Sequence, residues 1–301
     1  AALARQPPAI CCALDQRCAP TSGHAGTRAY GAHAMRAAVL ALLLAAFAAP
    51  AYADRFSLSY DGAGLGIIPL GNVTVDADVS ADSYEISATL NSGGLLNLFE
   101  RTNLVASSSG DIRNGAVVWR RYDLDHHYSR KHRVVAMQAA DDGAVTAEIT
   151  PNYRIWGDPP ASDEQKRHSR DPLSTMMAMA VDVGQTHRCA GSYPTFDGRF
   201  HYLLELSGGH IDHYDHAGYD GDVLKCSMSY IAVAGFEATD SGRRRVPRGE
   251  VWFALAPDSN FAPPVHISTP LSAGGAVIRL TRFYRVVVHV EDDDNTVTPA
   301  P

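Results

Sequence analysis

Apolar and polar residues alternate along much of this chain. Phe56, Leu58 and Tyr60 are spaced by Ser57 and Ser59, and Val73, Val75, Ala77 and Val79 by Thr74, Asp76 and Asp78. Tyr84, Ile86, Ala88 and Leu90 are spaced by Glu85, Ser87 and Thr89. A period of two gives a strand one apolar and one wet face, the pattern of antiparallel rather than doubly covered parallel sheet. The same pattern predicts strands at 102–109, 116–128, 132–139 and 144–150. They resume at 192–197, 199–207, 210–215, 222–234, 249–255, 264–268 and 276–290. Asp197-Gly198 suits a tight primed hairpin turn, with Phe200, Tyr202, Leu204 and Leu206 inward and Arg199, His201 and Glu205 outward. In 222–234, Leu224, Cys226, Met228 and Tyr230 share the core side.

One segment departs clearly from this period. Asp171 can cap a helix, Pro172 fits its first position and Gly184 can end it. Leu173, Met176, Met177, Ala180 and Val183 then form an apolar stripe. A shorter helical turn is predicted over 94–99, while 156–170 and 238–249 read as loops. The expected fold is mainly β: a strongly curved antiparallel sheet, forming an open or closed barrel-like domain with one main helix at about 171–184. A two-sheet sandwich is the competing architecture.

Composition adds a compartment. Met35 to Ala53 has the parts of a secretory signal peptide: Arg36, the apolar run Ala37–Phe47, and Ala51-Tyr52-Ala53 before Asp54. The run is shorter than the ~20 residues a membrane span needs, so no stable transmembrane anchor is expected after cleavage. Residues 1–34 precede a segment that must stand near an N-terminus and read as mistranslated upstream sequence. Their Cys11-Cys12 and Cys18 lack zinc-site spacing. The expected layout is therefore a leader (1–34), a signal (35–53), a β-rich domain (54–290) and a disordered acidic tail (291–301). The protein is expected to be exported, to a bacterial periplasm.

Cleavage would remove four of 26 basic and one of 33 acidic residues, moving the net charge from −7 to about −10. Nucleic acid is thereby a poor partner, since such binding rests on phosphate neutralisation. Cleavage also leaves two of five cysteines, Cys189 and Cys226. An even count in an exported protein predicts a disulfide, with a catalytic thiol beside His187 as the alternative.

Several of these residues occur in a recognisable order: Asp171-Pro-Leu-Ser174, Cys189, Tyr193-Pro-Thr-Phe-Asp-Gly-Arg199, then Cys226. The set resembles the exported bacterial proteins of the domain of unknown function 3108 family. The resemblance implies an envelope location and a largely β fold. It supplies no established activity and no catalytic residues.

Candidate chemistry is sparse. His210-Ile-Asp212-His213-Tyr-Asp215-His216 is ligand-like in composition, and Asp123, Asp125 and His127 would share a strand face. Solvated strand surface accounts for both, so no catalytic, cofactor or metal residue is assigned. Arg130-Lys-His-Arg133 and Arg243-Arg-Arg245 read as solvated turns, with anionic partners as the alternative. Gly62-Ala-Gly64-Leu-Gly66 lacks the helix that a nucleotide loop requires. Methionine is adaptable enough to line a promiscuous apolar pocket or simply to fill a core, which makes Leu173, Met176, Met177 and Ala180 candidate ligand-lining residues. The leading expectation is binding or carrying an apolar or lipid-like ligand in cell-envelope maintenance. The rivals are an interaction module docking on other envelope proteins through a sheet edge, and a hydrolase built from scattered Asp and His.

Overall fold

A computed structural model describes residues 51–65, 67–94, 97, 101–240, 244–271 and 274–290. Residues 1–50, with the expected leader and most of the expected signal segment, the 291–301 segment, Arg243 and most of the turn expected at 94–99 lie outside them.

The first meander comprises β1 (Ala51–Gly64), β2 (Ile68–Val79), β3 (Ser83–Ser92), β4 (Thr102–Arg113), β5 (Ala116–Tyr128), β6 (Lys131–Ala139) and β7 (Val145–Thr150). Two helices follow, α1 (Asp163–Arg167) and α2 (Pro172–Thr186). The second meander comprises β8 (Gly191–Phe196), β9 (His201–His216), β10 (Tyr219–Ala234), β11 (Gly249–Ala254), β12 (Pro264–Leu271) and β13 (Gly274–Val290). All thirteen strands form one antiparallel sheet in the order β7-β6-β5-β4-β3-β2-β1-β13-β12-β11-β10-β9-β8. The two meanders therefore join at a central seam, where β1 pairs with β13 from Ala51↔Val290 to Gly64↔Ala276.

The sheet curves without closing, and β7 and β8 are its edges. Curvature follows from packing: Tyr84 on β3 and Tyr193 on β8, far apart in strand order, belong to one core cluster with α2. A second cluster joins Trp119, Tyr122, Val135, Met137 and Phe196. The architecture is thus the curved sheet that the alternation predicts, in its open form, rather than a sandwich. Part of the β8 edge is covered: Arg170 N donates to Pro194 O (2.9 Å) and Phe196 N to Arg170 O (2.8 Å).

Helix α2 is the plug of this half-barrel. Met177, Met179 and Val183 are fully buried, as are Ser174 and Thr175. Asp171 caps it, Oδ1 accepting from Leu173 N (2.9 Å) and Ser174 N (3.0 Å), with Pro172 opening the helix. It does not end at Gly184. It runs on to Thr186 and stops at His187, whose φ of 50° is left-handed. Gly184 serves packing instead: a Cβ there would stand 2.8 Å from Phe261 N.

The 156–170 segment is not all loop. Ser162 starts α1 with a reciprocal capping box, its hydroxyl accepting from Gln165 N while Gln165 Oε1 accepts from Ser162 N. Nor do Asp197-Gly198 make a two-residue turn. Phe196 pairs with His201, so four residues intervene. Asp197 Oδ1 accepts from Arg199 N (2.9 Å) and Phe200 N (2.7 Å) and holds that loop. His201, expected outside, is buried because the segment carrying Ser169 folds over it, Ser169 Oγ lying 3.0 Å from Nδ1. The segments 199–207 and 210–215 fuse into one strand, β9.

Candidate functional site

Burial on the concave face falls off along β2 and β3. Ala77 and Ile86 are buried beneath α2, whereas Val75, Val73 and Ala88, further along β2 and β3, are only partly covered. One flank of α2, from Leu173 to Ala180, faces these partly covered strand positions. Between that flank and the sheet lies an apolar cavity of about 220 Å³. The sheet contributes Leu58, Tyr60, Val75, Ala88, Ile267 and Ile278 among others, and the loop after β11 contributes Phe261 and Pro263. Helix α2 contributes Leu173, Met176, Met177 and Ala180. All four residues singled out from the helical stripe therefore meet at one cavity. The sheet-borne lining was also implicit in the alternation, as its inward positions.

The lining offers no free polar atom at Tyr60, whose hydroxyl donates to Pro264 O (2.7 Å). Burial raises the Tyr60 pKa far above the ordinary phenol value, so the group stays neutral. An empty apolar cavity of roughly 150 Å³ stays dry and admits benzene. The larger space here suits a segment of hydrocarbon chain better than water.

A buried polar knot sits at the start of α2. Asp171 is fully buried; Ser108 Oγ donates to its Oδ2 (2.9 Å), and so does Ser174 Oγ. Tyr84 Oη lies 2.6 Å from Ser174 Oγ, and Ser108 Oγ 2.7 Å from it. Burial pushes the Asp171 carboxyl up to about 6, against the opposing pull of its hydrogen bonds from Ser174, Ser108 and Leu173. This knot anchors three elements, β3, β4 and α2, and thus fixes the helix over the trough. Its hydroxyls and carboxylate are all buried and bonded to one another. The Ser169–His201 pair is unlike a catalytic dyad: Ser169 Oγ donates to Gln165 O (2.7 Å), so its proton is not directed at the imidazole.

The disulfide forms. Cys189, just before β8, is bonded to Cys226 on β10 with Cα atoms 5.4 Å apart, so the bridge ties the stretch leading into β8 to β10. Gly208 and Gly209 together face Cys226 in a bulge, between the pairs Lys225↔His210 and Ser227↔Ser207.

The His- and Asp-rich stretches separate. In 210–216, Asp212 pairs with Lys225 (2.5 Å), His213 approaches Asp220 (3.3 Å), and Tyr214 packs on Trp252. On β5, Asp123 is taken by Arg121, while Asp125 meets His127 and, across the hairpin, His132. Lys131 and Arg133 lie over the rings of Tyr128 (5.6 Å) and Tyr153 (4.0 Å).

No family model matches this chain, and no curated protein matches it. Among solved structures, a beta-barrel-like protein of domain of unknown function DUF1849 from Brucella abortus is similar in fold. It is 10% identical, covering 78% of this chain and 98% of that one with a TM-score of 0.48.

Proposed function

We propose that this protein binds an apolar or lipid-like ligand, an acyl chain in chemical terms, in the cavity between α2 and the concave sheet. The observation that carries the proposal is the partly uncovered apolar trough lined by Leu173, Met176, Met177 and Ala180. Met176 contributes a flexible thioether that can repack around occupants of different shape. The proposed setting is the periplasm, in cell-envelope maintenance. The signal-like segment 35–53 supports this setting, and so do the Cys189–Cys226 bridge, which suits an oxidising compartment, and the motif likeness over 171–226 to the domain of unknown function 3108 family.

Organic extraction of protein purified from a bacterial periplasm, followed by mass spectrometry, tests the proposal. Co-purifying acyl lipid is expected, together with tight uptake of a fluorescent fatty acid by the delipidated protein. Ala88→Phe places a ring in the cavity from a half-covered position and should abolish uptake while preserving the thermal transition. Protein that carries no lipid and takes up no probe would refute the proposal.

A further inference from the structure

The outer face of the β5–β6 hairpin carries a cluster independent of the cavity. Asp125 and His127 stand two residues apart on β5, so both project to the same face, and His132 on β6 pairs directly with His127. His132 Nε2 lies 2.9 Å and His127 Nε2 3.1 Å from the same carboxylate oxygen, Asp125 Oδ1. The two imidazole rings stack at 3.9 Å, with planes 7° apart. Among the described residues, this is the trio whose ligand atoms all fall within 4.8 Å of one another.

We propose that Asp125, His127 and His132 form a site for a divalent transition metal, with zinc as the ion that the donor set suits. Two imidazole nitrogens and one carboxylate oxygen, with a fourth position left to solvent, are a known zinc arrangement. Tetrahedral ligands about 2.0–2.1 Å from the metal lie about 3.3 Å apart, so both Asp125 separations need to open by only a few tenths of an ångström, and the two stacked rings must turn out of parallel to aim their in-plane nitrogens at one ion. The pleat also clears the site of cations. Lys131 and Arg133 flank His132 in sequence but pack on Tyr128 and Tyr153, and Arg121 is occupied by Asp123. Asp125 itself sits between Val105 and Val134 in the cross-strand row, neither of which offers it a charge partner. All three side chains are about half exposed, at 50%, 58% and 49%, so the ion enters directly from solvent.

Titration of the metal-free full chain with zinc chloride, read by calorimetry and native mass spectrometry, tests the site. One zinc per chain is expected. His132→Ala and Asp125→Ala should each weaken binding at least tenfold, and the pair guards against misfolding of either variant. A His210→Ala, His213→Ala, His216→Ala variant should bind as the parent does. The absence of stoichiometric zinc would overturn the proposal. So would affinity unchanged by both single substitutions, or binding lost only with the 210–216 histidines.

Discussion

Gly209 lies directly against Cys189: a Cβ on Gly209 would stand 2.5 Å from the Cys189 Sγ atom. The disulfide thus lies against β9 at one of two adjacent glycines, where no side chain stands in its way. Gly209 also adopts a φ of +115°, which side-chain-bearing residues rarely visit.

Gly209→Ala should therefore be costly twice over, through the Sγ contact and through the backbone. A loss of about 2–4 kcal/mol is expected, with thiols becoming titratable as the bridge fails to close. Gly208→Ala is the control. Its φ of +70° is also left-handed, but nothing lies within 4 Å of the added methyl. It should cost only about 1 kcal/mol and leave the bridge intact. Thermal denaturation with thiol counting distinguishes the two.

Reducing the bridge in the parent protein should lower stability by about 3–4 kcal/mol in the chain-entropy model, the cysteines being 37 residues apart. Chemical denaturation with and without reductant reads this difference. Equal midpoints would show that the sheet alone fixes β8 against β10.

Asp171 makes stability depend on pH. Its folded value of about 6 lies above the ordinary 3.8, so the fold favours the protonated acid. That contribution is fully present below about pH 3.8 and is lost as pH rises through 6, in total on the order of 2–3 kcal/mol. Asp171→Asn keeps an acceptor for the helix N–H groups and carries no charge, and the Ser108 and Ser174 hydroxyls can rotate to accept from it. The variant should show a flat profile between pH 4 and 7 relative to the parent. Urea midpoints across that range are the measurement, and parallel profiles would contradict it.

Gly184→Ala should reverse the usual sign for a helix interior. Alanine ordinarily adds about 1 kcal/mol there. Here the methyl would meet the backbone at Asn260 and Phe261, and a loss of about 1–3 kcal/mol is expected by calorimetry.

His187→Gly should do the opposite and stabilise by about 1 kcal/mol. The residue ends α2 at a left-handed φ of 50°, where glycine carries no Cβ penalty. A higher melting temperature without change in the thiol count is the expected outcome.

The contrast between Gly184 and His187 shows how far the sequence could be read. A glycine after an apolar stripe signals a helix end when only local conformation is considered. The close approach of the 260–261 loop, which explains this glycine, is a tertiary fact. Alternation located the strands because one face of most strands packs into one of the two core clusters. It misplaced His201 because a distant segment, carrying Ser169, covers a face that should have been wet. Local composition likewise identified the α2 stripe and the Asp125–His127 pair. His132 joins that pair only through the cross-strand register, and in sequence it is hidden within a basic run. The capping box at Ser162 was written in plain S-x-x-Q form, but in a segment too polar to suggest a helix.

The central seam has a temporal meaning. In chain order β1 is made first among the strands and β13 last, yet they are partners, with Asp54 and Arg285 joined through a paired hydrogen bond (3.0 and 3.2 Å). The middle of the finished sheet is therefore its final pairing, and the most expensive in loop-closure entropy. Until β13 arrives, the first meander presents β1 as an open edge, a template for the β13 of another molecule as readily as its own. That open edge exists only until β1 and β13 have paired.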